Sequence, residues 1–166
     1  SQLVDPRKLA VQHTVLEGQI APDACVRLAA AVQEIVSPLS AKVTFSRNDQ
    51  GKSIVSGDAK VDVKVVCQRC LEPMTLTLQS ALELRVVWSD DEAKSLPKGT
   101  DAWLVDEGSV SLKDLLEDEL LLSMPIVSYH AKSDCDTAEV LVSGDLPDEE
   151  QGERDNPFDI LRQLKQ

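Results

Sequence analysis

A chain of 166 residues with 42% hydrophobic and 28% charged side chains has the length and composition of one soluble globular domain, too short for two of ordinary size. Its 17 basic and 29 acidic side chains give a formal charge of −12 and a pI near 4.5, so the surface as a whole should not grip a polyanion of phosphate. Two Trp, two Phe and one Tyr are too few for stacked aromatic platforms that hold single-stranded nucleic acid.

The acidity is uneven: residues 1–88 carry 10 basic and 9 acidic side chains, whereas residues 89–166 carry 7 and 20. The N-terminus, Ser1-Gln2-Leu3-Val4-Asp5-Pro6-Arg7-Lys8, has no apolar signal-peptide core, and no apolar run approaches membrane-spanning length. A cytoplasmic chain is expected, in which four cysteines are thiols or metal ligands rather than a disulfide framework.

In chain order, Cys25, Leu28, Ala29, Val32, Ile35 and Val36 recur at helical spacing between Pro22 and Pro38, which predicts an amphipathic helix near residues 22–38. From Ala41 the period becomes two, with Val43 and Phe45 alternating with polar residues, and Asn48-Asp49-Gln50-Gly51 supplies a turn. Ala59, Val61, Val63 and Val65 alternate with Lys60, Asp62 and Lys64, and Met74, Leu76, Leu78, Leu82, Leu84, Val86 and Trp88 continue the alternation. These runs predict an α+β domain built on a central antiparallel β-sheet with flanking helices. Ser89 to Thr100 reads as a loop and Trp103 to Val105 as one more short strand. Ser111 is an N-cap with Asp114 three residues on, opening a second helix near residues 111–123 that ends before Pro125.

Beyond Cys135 the chain turns polar, and Gly144 to Glu150 is an acidic linker with too little apolar surface to offset its ordering entropy. Asn156 as N-cap and Pro157 at the first helical position start a short helix carrying Phe158, Leu161 and Leu164 on one face. The organisation is thus a domain over residues 1–140 and an acidic C-terminal tail over 141–166 that ends in a short helix. That helix is too short to be stable alone. It docks either on its own domain or in the groove of another protein, through Asn156, Pro157, Phe158, Leu161 and Leu164.

The constellation with the clearest chemistry is Cys67-Gln68-Arg69-Cys70 between two strands, joined by His130 and Cys135 downstream. Two thiolates at a turn can face one ion, and three sulfurs with one imidazole complete a tetrahedron suited to Zn2+. The spacing of the second pair is unusual, and Leu71 stands where a metal knuckle often has a small residue. The competing assignment is two partly buried cysteines beside a surface histidine. Redox cycling of C-x-x-C wants a helix N-terminus, whereas Leu71-Glu72-Pro73 leads into a strand. Cys25 lies on the apolar stripe of the first helix and reads as a core residue.

Glu117, Asp118 and Glu119 fall on or near an exposed helix face, His13 reads as a surface or strand residue, and Lys60, Lys64, Arg69 and Arg85 with Asp62 and Glu83 make a mixed solvated face. The chain has no phosphate-binding glycine loop, G-x-S-x-G, H-E-x-x-H or calcium loop, so an enzyme is not expected and no catalytic residue is assigned.

The ordered set Gly57-Asp58-Ala59-Lys60-Val61, Cys67-Gln68-Arg69-Cys70-Leu71-Glu72-Pro73, Glu117-Asp118-Glu119-Leu120 through Pro125 to His130 and Cys135, and Asn156-Pro157-Phe158 with Leu161 and Leu164 resembles the bacterial YceD proteins, the large ribosomal RNA subunit accumulation proteins. The resemblance covers most of the chain from about the first helix onward and implies a role in 23S ribosomal RNA accumulation and large-subunit biogenesis. A non-enzymatic factor working through contact with a basic ribosomal protein or assembly factor is expected, since direct RNA binding suits this charge poorly. A thiol- or metal-dependent enzyme acting on RNA or protein is the alternative.

Overall fold

The computed structural model describes residues 3–105, 108–131 and 134–135. Strand β1 (Leu3–Val4) leads into helix α1 (Pro6–Val11), which begins where Asp5 accepts the amides of Arg7 and Lys8, both at 3.1 Å, and Pro6 takes the first helical position. The helix stops at His13, whose φ of 50° lets Thr14 N–H bond Leu9 O and His13 N–H bond Ala10 O. His13 is therefore a backbone cap between a helix and a strand. Next come β2 (Val15–Ile20), a 3-10 turn at Pro22–Ala24, α2 (Val26–Ala31), β3 (Glu34–Ile35), β4 (Leu39–Arg47), β5 (Ser53–Val66) and β6 (Pro73–Val87). The described elements close with α3 (Asp90–Lys94), β7 (Asp101–Leu104), β8 (Val110–Ser111) and α4 (Leu112–Leu122).

The main sheet runs β2-β4-β5-β6-β7, with β3 paired to β5, while β1 and β8 form a separate two-stranded ladder. Its centre is the long antiparallel β5–β6 hairpin, register Val61 opposite Leu78. The β4–β5 turn is fixed by Asn48, whose Oδ1 accepts from Gln50 N at 3.1 Å and Lys52 N at 2.8 Å, and by Gly51 at φ 73°. Val55, Ala59, Val61 and Val63 of β5 and Leu78, Leu82, Leu84 and Val86 of β6 are buried on one face, beneath α1 and α4, which contribute Ala10, Leu112, Leu115, Leu116 and Leu120. The opposite rows, including Lys60, Thr77 and Glu83, face solvent, the arrangement that period-two alternation requires of a sheet covered on one side.

The α+β class holds, and four local expectations are corrected. The helix expected near residues 22–38 is α2 alone, preceded by the 3-10 turn. Strand β5 runs past the start of β4, so Lys64 O and Asp62 O are open to Gln33 N at 2.9 Å and Val36 N at 2.8 Å; the β-branched Val32, Ile35 and Val36 take the extended path. The loop expected over Ser89 to Thr100 contains α3, capped by Ser89 Oγ accepting from Glu92 N at 3.2 Å. Because residues 88–100 cross back over the sheet, β7 joins β6 in parallel, so the sheet is mixed. Finally, Glu117 is fully buried rather than solvated: its Oε2 accepts from Arg27 N and Leu28 N, both at 2.9 Å, and its Oε1 from Lys113 Nζ at 2.7 Å. Asp118 does lie at the surface, paired with Arg27.

The Ser111 cap is formed as its sequence implies, with Oγ accepting from Asp114 N at 3.2 Å. Among the described residues no helix is long and apolar enough to cross a membrane. The 140/141 boundary, the acidic linker and Asn156, Pro157, Phe158, Leu161 and Leu164 lie outside the described residues.

Candidate metal centre

The β5–β6 connection is a six-residue turn closed on itself. Cys67 N–H donates to Glu72 O at 2.9 Å and Leu71 N–H to Cys67 O at 2.9 Å. Leu71 makes the reversal at φ 63°, a left-handed conformation that an L side chain adopts at some cost. With 73% of its surface exposed it packs on little, so a bulky residue is sterically accommodated where a small one was expected. Gln68 N–H donates to Ser128 O at 2.8 Å, fastening the turn to the segment leaving α4. The Arg69 guanidinium lies 5.1 Å from the centre of the Tyr129 ring and adds a second fastening.

This docking brings together all four expected donors. The Sγ atoms of Cys67, Cys70 and Cys135 and a ring nitrogen of His130 lie within 4.8 Å of one another. Cys67 Sγ is 3.9 Å from Cys135 Sγ, and Cys70 Sγ is 3.2 Å from His130 Nδ1. Tetrahedral Zn–S bonds of about 2.3 Å would separate two sulfurs by about 3.8 Å. The cluster has that spacing, and it is too open for a disulfide, whose sulfurs bond at about 2.05 Å; all four cysteines are free thiols. Cys67 and Cys135 are buried, whereas Cys70 and His130 are half-buried at the rim.

Burial alone would push the Cys67 thiol up, but backbone N–H groups of Cys70, His130 and Arg69 aimed at the sulfur outweigh it and hold its pKa down to about 5. The His130 amide is 3.5 Å from that sulfur. At Cys70 the backbone at Glu72 favours the thiolate, yet burial and the sulfurs of Cys67 and Cys135 prevail and raise it. The amides aimed at Cys67 favour its thiolate, the form in which a cysteine binds a metal. Three soft sulfurs and one imidazole suit Zn2+ among the common divalent ions.

Cys25 is remote from this cluster. Its buried thiol approaches Ala21 O at 3.7 Å, and burial, followed by the charge of Glu117, pushes its pKa up. Lys60 and Arg85 stand on the solvated side of the sheet, with Lys64 paired to Glu34 at 2.6 Å. Ser128 and Tyr129, which fasten the turn, carry no recognisable local motif; their proximity to His130 was the available signal.

The fold and site define a one-face-covered α+β sheet protein with a cysteine–histidine cluster of metal-ligating composition at the tip of its central hairpin. A family model described as large ribosomal RNA subunit accumulation protein YceD matches residues 55–165, a span that includes the whole cluster. A large ribosomal RNA subunit accumulation protein YceD from Haemophilus influenzae strain Rd is 34% identical over 165 residues, covering 98% of this chain and 94% of that protein. The chain belongs to the YceD family. No solved structure matches it.

Proposed function

We propose that this chain supports accumulation of 23S ribosomal RNA, and so large-subunit biogenesis, as a non-enzymatic factor acting through protein contacts, with Zn2+ held by Cys67, Cys70, His130 and Cys135 as a structural ion. The observation that carries the reading is the closure of the cluster. Four protein donors would fill a tetrahedral ion, whereas catalytic zinc keeps a position open for water or substrate. Cys67, the sulfur whose thiolate its surroundings favour, is fully buried, where a thiol substrate has no approach. Both points disfavour a thiol or metal-dependent enzyme acting on RNA or protein.

The partner is a basic ribosomal protein or assembly factor. Residues 89–166 carry 20 acidic and 7 basic side chains, a field that repels phosphate and attracts Lys- and Arg-rich proteins. Residues 141–166, with Asn156, Pro157, Phe158, Leu161 and Leu164, are assigned to partner capture by sequence alone. In cells lacking the chain, the wild-type protein should restore 23S RNA levels, and cross-linking should recover a basic protein. Phe158→Ala should weaken that capture without lowering thermal stability. Tight, salt-sensitive binding of the purified chain to naked ribosomal RNA would defeat the reading.

A further inference from the structure

The opposite end of the sheet from β7 carries a groove of about 440 Å³ bordered by β2 and α4. Its lining includes Leu16, Ile20, Val43, Leu112 and Leu116, with Gly18 at its floor, where an added Cβ would meet nothing within 4 Å. All of Leu16–Ala21 lines it, so the groove follows an edge strand along its length. Strand β2 pairs only with β4 among the described residues. Phe45 N–H bonds Thr14 O at 2.8 Å, which marks Thr14 and Phe45 as a hydrogen-bonded pair. By antiparallel alternation, Leu16, Gly18 and Ile20 bond inward to β4, and Val15, Glu17 and Gln19 turn their N–H and C=O groups outward.

Charge narrows the occupant. The one cation in the lining, Lys113, is already engaged by buried Glu117 and by exposed Asp114. Exposed Asp23, between the lining residues Ala21 and Ala24, adds a carboxylate that no cation is shown to pair among the described residues, on a chain of net charge −12.

We propose that β2 takes an added strand from an extended, Lys/Arg-rich segment of a basic protein, whose alternate apolar side chains enter the groove between β2 and α4. The proposal rests on the partner class assigned above and adds a contact for that partner on the described domain, apart from residues 141–166. Main-chain bonds to Val15, Glu17 and Gln19 give affinity, and the apolar floor gives register. Exposed Asp23 and Asp114, beside the groove, select basic over acidic sequences.

The test uses the full chain and a synthetic nine-residue peptide of alternating Lys and Val, with a Glu/Val peptide as control. Calorimetry should detect binding of the Lys/Val peptide alone. Amide exchange at Val15, Glu17 and Gln19 should slow on binding, while that at the already paired Leu16, Gly18 and Ile20 changes little. Glu17→Pro removes an outward donor and keeps every inward bond, and Gly18→Leu fills the floor; each should weaken binding at least tenfold while thermal unfolding stays close to wild type. No binding, binding without protection at β2, or equal binding by both folded variants would overturn the proposal. So would a dimer of the free chain that Glu17→Pro dissolves, since a second copy would then hold the edge. In cells lacking the chain, restoration of 23S RNA by the wild type but equally by both variants would sink the groove and leave the biogenesis reading intact. Failure of the wild type itself would sink that reading.

Discussion

Glu117 caps the helix that contains Leu28, 89 residues earlier, by accepting its amide and that of Arg27, both at 2.9 Å. Helix α2 has no side-chain cap of its own, because Cys25 stands at the N-cap position. A carboxylate from α4 supplies what the local sequence omits, and Lys113 offsets its charge. Glu117→Ala would leave two amides without their acceptor and the Lys113 ammonium with Asp114 alone. It should destabilise the domain by about 2–4 kcal/mol, read from the denaturant midpoint, with Glu117→Gln milder because one acceptor oxygen survives.

The same corner sets a pH response. Hydrogen bonds to Glu117 and then Asp114 raise the Lys113 pKa, so its contribution is full below the unfolded value of about 10.4 and is lost as pH rises through the raised folded value. The hydrogen bond from Lys113, with that from Ser111, lowers the Asp114 pKa; its contribution is present above about 3.9 and lost as pH falls through the depressed folded value. Asp114→Asn should therefore lower the unfolding temperature slightly at pH 7, and the difference from wild type should shrink as pH falls below about 3.9 and vanish once the depressed folded value is passed. A difference that persists at low pH would assign the effect to packing.

Gly57 pairs with Val43 in the β4–β5 ladder, and a Cβ there would clash with Lys42 O and Val43 Cα. Both obstructing atoms are backbone, which cannot rotate away. Gly57→Ala should cost about 1–3 kcal/mol, checked by chemical denaturation, as overpacking does elsewhere.

Leu71 predicts the opposite sign. Its φ of 63° suits glycine, and its exposed side chain gives up little on removal. Leu71→Gly should stabilise the turn by up to about 1 kcal/mol without changing metal content. A loss of metal on that substitution would mean the leucine shields the cluster.

Protein purified without chelator should contain one zinc per chain, which Cys67→Ser with Cys70→Ser removes. Chelation of the wild type should lower the unfolding temperature, and Cys25→Ser should retain its metal, since that thiol is outside the cluster.

The sequence made the β5–β6 alternation and the Asn48 and Ser111 signals legible because each depends on neighbours within a few residues. Helices α1 and α3 were equally local: Asp5-Pro6 and the Ser89-x-x-Glu92 pattern announce their starts, but too few apolar residues follow to display a helical period. The fate of Val32, Ile35 and Val36 was not readable, since it depends on the vacant end of β5. Glu117 looked like a surface charge because nothing near it in sequence names Arg27 or Leu28 as partner. Donor type marked Cys67, Cys70, His130 and Cys135 as a set, yet their spacing comes from the turn being fastened at Ser128 and Tyr129.

The turn at Cys67 and the segment at His130 are 63 positions apart along the chain. An ion shared between them would close a ring containing β6, α3, β7, β8 and α4, leaving α1, β2 and β4 outside. Most of its effect would then fall on the unfolded ensemble, whose loop entropy a cross-link of this length reduces by about 4 kcal/mol at 25 °C. Metal loss would accordingly make refolding of the enclosed ring slower, while hairpin β4–β5, which lies outside that ring, keeps its local kinetics.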